Sequence, residues 1–185
     1  MTDFTLSSGS ICRPMRSPWG AFPTRSMGVA STLAAAIRIG QPVSLLADTS
    51  TNAGNVLGAT MPNVINLVGI AAEGISSGAS SLVGGNTISV WEANPSVEFK
   101  AVTKGGLIGS SLVGKRRSMN WDSTLNIAWI DTTASTATDW RVVVTGIVDG
   151  DQDSGGYVAF RFLAETGSQI NSTILSSSPL LAFYS

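Results

Sequence analysis

Apolar and polar residues alternate with a period of two along much of this chain, the spacing at which a strand sends successive side chains to opposite faces of a sheet. Ile37, Ile39, Val43 and Leu45 alternate with Arg38, Gly40, Pro42 and Ser44, with Gly40-Gln41-Pro42 as a kink or strand edge. A second apolar run covers 64–71, and further strands are predicted at 87–92, 97–102, 119–121 and 125–130. The two strongest candidates are 141–148 and 157–163, and the turn formers between them, Asp149 to Gly156, make the pair a hairpin. The polar stretch Asp48–Gly58 and the Gly/Ser-rich stretch Glu73–Gly85 are predicted as loops. Helix is expected only in short pieces, at Ser31–Ala36 or at Gly106–Gly114, where Leu107, Ile108, Leu112 and Val113 share a side. Short strands separated by Gly, Ser and Asn turns predict a mostly β fold, an antiparallel β-barrel or sandwich with an extended N-terminal arm.

The two ends depart from this alternation. Residues 1–26 carry Pro14, Pro18 and Pro23, which exclude a helix and push their predecessors into extended conformations. They also carry the aromatic anchors Phe4, Trp19 and Phe22 and the cations Arg13, Arg16 and Arg25. An extended arm so equipped is suited to lying across another protein's surface, since tails that stay disordered are poor in Trp and Phe. A β domain is expected over 27–163, followed by a tail, 164–185, which ends in the apolar group Leu180, Leu181, Phe183 and Tyr184. Such a tail requires something to dock on.

Composition narrows the chemistry. The 185 residues include no histidine and a single cysteine, Cys12. Ser-His-Asp and Cys-His catalysis and ordinary zinc sites are thereby excluded, as is an intramolecular disulfide. Charged residues are 12% of the chain and the net charge is −1, which argues against binding nucleic acid through phosphate neutralisation. Mean hydropathy is +0.25, yet no segment approaches the roughly 18 apolar residues of a membrane span. The Ala-rich stretch 29–37 follows a Pro- and Arg-bearing segment and does not read as a signal peptide. The lone thiol points to a reducing compartment. Apolar surface without a membrane implies burial against other protein chains.

Each candidate chemical motif fails its context. Gly109-Ser110-Ser111-Leu112-Val113-Gly114-Lys115 matches half of a phosphate-binding loop, but Arg116 stands where a hydroxyl for magnesium is needed. Lys115, Arg116 and Arg117 read better as a basic turn facing an acidic partner. Asp149, Asp151 and Asp153 alternate as in calcium loops, but Ser154 and Phe160 occupy the required Gly and Glu positions. The five tryptophans, Trp19, Trp91, Trp121, Trp129 and Trp140, could serve as sugar platforms, although core and interface anchoring are commoner uses. Trp129 is expected in the core. No catalytic residue, cofactor or metal site is expected.

The segment Ile88-Ser89-Val90-Trp91-Glu92-Ala93-Asn94-Pro95-Ser96-Val97-Glu98-Phe99-Lys100 resembles the strand, A-(D/N)-P-x-x-x-F, strand element of small decoration, or cement, proteins of tailed-phage capsids. The downstream order is also similar: the Leu112–Lys115 turn, Trp121-Asp122, Trp129-Ile130-Asp131, a strand opening Asp139-Trp140-Arg141 and a last strand ending at Leu163. Gly40–Val43 and Val68–Ala72 resemble the strands that open these domains. The resemblance implies a virion structural protein without enzymatic activity. Such a protein sits on the capsid surface after assembly in the host cytoplasm and ties neighbouring major capsid proteins together; a homo-dimer or homo-trimer is expected because closed symmetric oligomers are the default. The arm and the apolar tail go beyond the family's pattern, and the contact residues are expected from their residue types: Phe4, Arg13, Arg16, Trp19, Phe22 and Arg25 of the arm, the basic turn 115–117, and Leu180, Leu181, Phe183 and Tyr184. Two rivals are a carbohydrate-binding β module using Trp91, Trp121 or Trp129, and another virion part such as a tail or head-fibre subunit. A third, an enzyme working through paired carboxylates, needs a concave site that the sequence does not offer.

Overall fold

The computed structural model describes residues 11–29, 36–45, 56–58, 67–76, 86–106, 108–133, 141–149 and 155–163. Their strands are β1 Arg13–Arg16, β2 Thr24–Gly28, β3 Pro42–Leu45, β4 Val56–Gly58, β5 Leu67–Ala71 and β6 Thr87–Glu92. They continue with β7 Glu98–Lys104, β8 Arg116–Arg117, β9 Met119–Asp122, β10 Ile127–Asp131, β11 Val142–Asp149 and β12 Tyr157–Phe162. A nearly closed, barrel-like sheet runs β8-β11-β12-β7-β10-β9 with β1 also on β7, and a second antiparallel sheet runs β2-β6-β5-β3-β4.

The hairpin expected from the strongest alternation is β11–β12, with Val142 opposite Phe162 and Val144 opposite Phe160. Two bulges interrupt its ladder, between Val144 and Gly146 and between Ile147 and Asp149. A bulge bends and twists a strand, which helps a sheet curl toward closure. β7 is the hub. β12 takes one edge, and the other is divided between β1, opposite Glu98 to Lys100, and β10, opposite Val102 to Lys104. The β7–β10 pair is parallel, a departure from the antiparallel expectation. It is made possible by the long connection through β8 and β9, since parallel neighbours need a crossover.

The main core lies inside the barrel-like sheet, around Phe99, Phe160 and Phe162. Phe99 stands edge-on to Phe162 at 5.1 Å between ring centres, and Phe160 does so at 5.5 Å. β5 joins this core to a second one. Leu67 and Ile70 point into the main core, while Val68 and Ala71 pack with Met27, Val29, Val43, Ile88 and Val90. The face changes at the bulge where Val43 pairs with Gly69 but Ser44 with Leu67. Gly69 allows the approach of β6, because a Cβ there would collide with the Trp91 carbonyl.

Several expectations change. Residues 13–16 and 24–28 are extended, as the prolines require, but they are strands β1 and β2 of this chain's own sheets rather than a free arm. Their polar composition hid them: each borders a sheet and buries few side chains. Val56–Gly58, read as part of a loop, forms β4. The stretch 106–114 holds a single 3-10 turn at Ser110–Leu112, with Ile108 and Leu112 buried but Val113 exposed. Trp129 is half-buried on the face of β10 opposite the core residues Ala128 and Ile130. Leu107, Trp140 and residues 31–35 of the helix expected at Ser31–Ala36 lie outside the described residues.

Candidate functional site

Of the described candidates from residues 1–26, Arg16, Trp19, Phe22 and Arg25 lie on or beside the turn between β1 and β2, while Arg13 opens β1 opposite Lys100. Pro18 and Gly20, the latter at φ +73°, shape this turn, which the Trp19 amide closes onto Ser17 Oγ at 3.2 Å. Trp19 is 60% exposed at its tip, the most exposed large apolar side chain among the described residues. Arg16 and Arg25 flank it in sequence. Arg16 Nε lies 3.7 Å from Glu98 Oε2, and Arg25 Nε lies 3.2 Å from Glu92 Oε1. Both arginine side chains remain largely exposed, so these pairs leave the guanidinium groups accessible and contribute little to stability. Glu98 is buried and also accepts a hydrogen bond from the Thr145 hydroxyl at 2.5 Å. Phe22 turns inward and packs against the main core. Phe4, Leu180, Leu181, Phe183 and Tyr184 lie outside the described residues, as do Asp151 and Asp153.

The basic turn is separate. Arg116 and Arg117 form β8 against β11, so β11, β12 and β7 stand between them and β1 in the strand order. Lys115 and Arg116 are exposed and Arg117 is half-buried, donating through Nη1 to the Arg116 carbonyl at 2.8 Å. The turn does not form a phosphate cradle. The amides of Leu112, Val113, Gly114 and Lys115 all donate to protein carbonyls, Gly114 to Val144 at 2.8 Å, whereas a phosphate loop must aim free amides at its ligand.

A groove of about 450 Å³ opens beside β1, where the two sheets meet. Arg13 and Pro14 of β1 form one wall with Ile11, and Phe22 and Ile39 approach from the neighbouring turns. Trp91 of β6, Lys100 of β7 and Tyr157 of β12 complete the lining. Arg13 and Lys100 are cross-strand partners, and Lys100 Nζ sits 4.1 Å from the centre of the Tyr157 ring. Of the sequence candidates only Arg13, Phe22 and Trp91 come together here. Lys100, Tyr157 and Ile39 were missed, because their convergence depends on the β1–β7 and β7–β12 registers. The three tryptophans considered as sugar platforms do not share this groove: Trp121 packs against the main core, and Trp129 lies under Lys104 Nζ at 5.3 Å.

Two further groups are settled by their surroundings. Cys12 is fully buried, which pushes its thiol far above the usual range and leaves no reactive thiolate. The Lys104 ammonium, donating to Asp122 Oδ2 at 2.5 Å, holds the Asp122 carboxyl below its ordinary value, helped by the Leu125 and Thr124 amides. Among the described residues no three His, Cys, Asp or Glu side chains group as a metal site, and no helix is long and apolar enough to cross a membrane. No family model, no curated protein and no solved structure matches the chain.

Proposed function

We propose that this protein is a virion structural component, a capsid decoration or cement protein that binds the outside of a phage head and cross-links major capsid proteins without catalysing a reaction. The observation that carries this reading is Trp19, held 60% exposed on a short turn between the exposed Arg16 and Arg25. Trp and Arg dominate the hot spots of protein interfaces, and a ring so placed is poised to enter a pocket on a partner. The turn is anchored at both ends by β1 and β2, so little ordering entropy is lost when it engages. Lys115 and Arg116 supply a second contact, toward an acidic surface. Copies arranged as homo-dimers or homo-trimers on a symmetric shell add their weak contacts multivalently. The stiff β-rich body then transmits load between capsid subunits.

The test is co-sedimentation of the purified chain with assembled shells of the major capsid protein. The wild-type chain is expected to pellet with shells and Trp19→Ala to bind about tenfold or more weakly, with an unchanged melting temperature. A Trp19→Ala chain that pellets like the wild type would overturn the role given to this turn. Failure of the wild-type chain to pellet would remove the capsid reading.

A further inference from the structure

The groove beside β1 combines three ring-bearing walls with two cations. Among the described residues neither Arg13 nor Lys100 has an acidic partner, and Lys100 is held over the Tyr157 ring. The described lining contains no Asp, Glu, Asn or Gln. Guanidinium, ammonium and indole groups are donors only, so the walls offer donors and apolar faces but almost no side-chain acceptor. A neutral sugar, whose hydroxyls donate as well as accept, would leave donors unpaired there. An anion accepts at every oxygen. The volume of about 450 Å³ lies within the range of small-molecule sites and is concave, unlike a flat protein interface.

We propose that this groove binds a small organic anion of the aryl carboxylate class. Its flat body lies against Trp91 and Phe22, and its carboxylate sits between Arg13 and Lys100. The two cations come from adjacent strands at a paired register position, so the site is built by the β1–β7 ladder. A bound ligand would also touch Ile39 and Trp91, which belong to the second sheet's side of the seam, and would brace the two sheets. The inference goes beyond the capsid reading and does not depend on it.

Isothermal titration of the full-length chain at low ionic strength with 1-naphthoate, 1-naphthalenemethanol and cellotetraose tests it. The naphthoate is expected to bind with a dissociation constant of about 1 mM or tighter, and the uncharged alcohol about tenfold more weakly. Arg13→Gln and Lys100→Gln should each weaken naphthoate about tenfold, while Arg13→Lys and Lys100→Arg retain it. Circular-dichroism melts establish that each variant is folded, and the naphthoate–alcohol comparison on the wild-type chain needs no variant. Absence of naphthoate binding, equal binding of the alcohol, tighter binding of cellotetraose, or undiminished binding by folded Gln variants would each overturn the assignment.

Discussion

Gly69 and Gly114 show how differently two glycines constrain this chain. At Gly69 an added Cβ meets the Trp91 carbonyl and a Val90 methyl, and the carbonyl cannot retreat without opening the β5–β6 ladder. Gly69→Ala is expected to cost about 3 kcal/mol. Gly114 has φ +81° and open space around its Cβ position, so Gly114→Ala should cost only about 1 kcal/mol, the backbone penalty alone. Urea denaturation of both variants checks the order, and equal losses would refute it. Asp122 sets an acid limit. Its folded-state carboxyl titrates below the unfolded value, chiefly through the Lys104 hydrogen bond, so the stability it contributes is present above the unfolded value. That contribution disappears as pH falls through the folded value. Asp122→Asn should therefore destabilise the fold at pH 7 by about 0.5–1 kcal/mol for this partly exposed pair, lowering the melting temperature, and flatten the drop expected on acidification toward pH 2. An unaltered acid slope in the variant would count against the assignment.

Elements whose own side chains alternate between buried and exposed positions were legible in the sequence; short strands that bury few side chains were not. β11 and β12 alternate strongly and are joined by turn formers, so their hairpin followed from local pattern alone. β6 was predicted at its observed bounds, since Ile88 and Val90 alternate with the more exposed Thr87 and Ser89. β1, by contrast, reads Arg-Pro-Met-Arg and buries chiefly Pro14, so nothing local marks it as a strand. Its partner β7 is remote in sequence, and the edge that β1 shares with β10 is a consequence of topology. The candidate site divides the same way. Trp19 and its arginines could be picked out by residue type, whereas the groove required knowledge that Arg13 faces Lys100. Because β1 belongs to the barrel-like sheet, removing residues 1–16 does more than trim an appendage. It takes away Cys12 from the main core and uncovers the edge of β7 at Glu98 to Lys100. The truncated chain is expected to melt at a lower temperature, with faster amide exchange in the first half of β7. Full amide protection there would mean that β1 adds nothing to the sheet.

At the scale of the whole molecule the two cores share a wall, strands β5 and β6 of the second sheet. β5 is buried along its full length, with Leu67 and Ile70 in the main core and Val68 and Ala71 in the second. β6 does the same, burying Ile88 and Val90 on one side while Trp91 packs on the other. Neither core can lose its packing without stripping a face from strands that also bound the other, so the sheets should open together. Cys12 can report this. It lies in the main core, fully buried, with its thiol held protonated, so a thiol reagent reaches it only when the structure opens. Ile88 lies in the second core. Ile88→Ala should destabilise by at least about 2 kcal/mol, and if opening is shared it speeds Cys12 labelling about thirtyfold. Labelling would be followed in native buffer with the wild-type chain as reference. A Cys12 rate indifferent to Ile88→Ala, in a variant whose melting temperature has fallen, would show that the second sheet opens by itself and that the shared strands do not couple the cores.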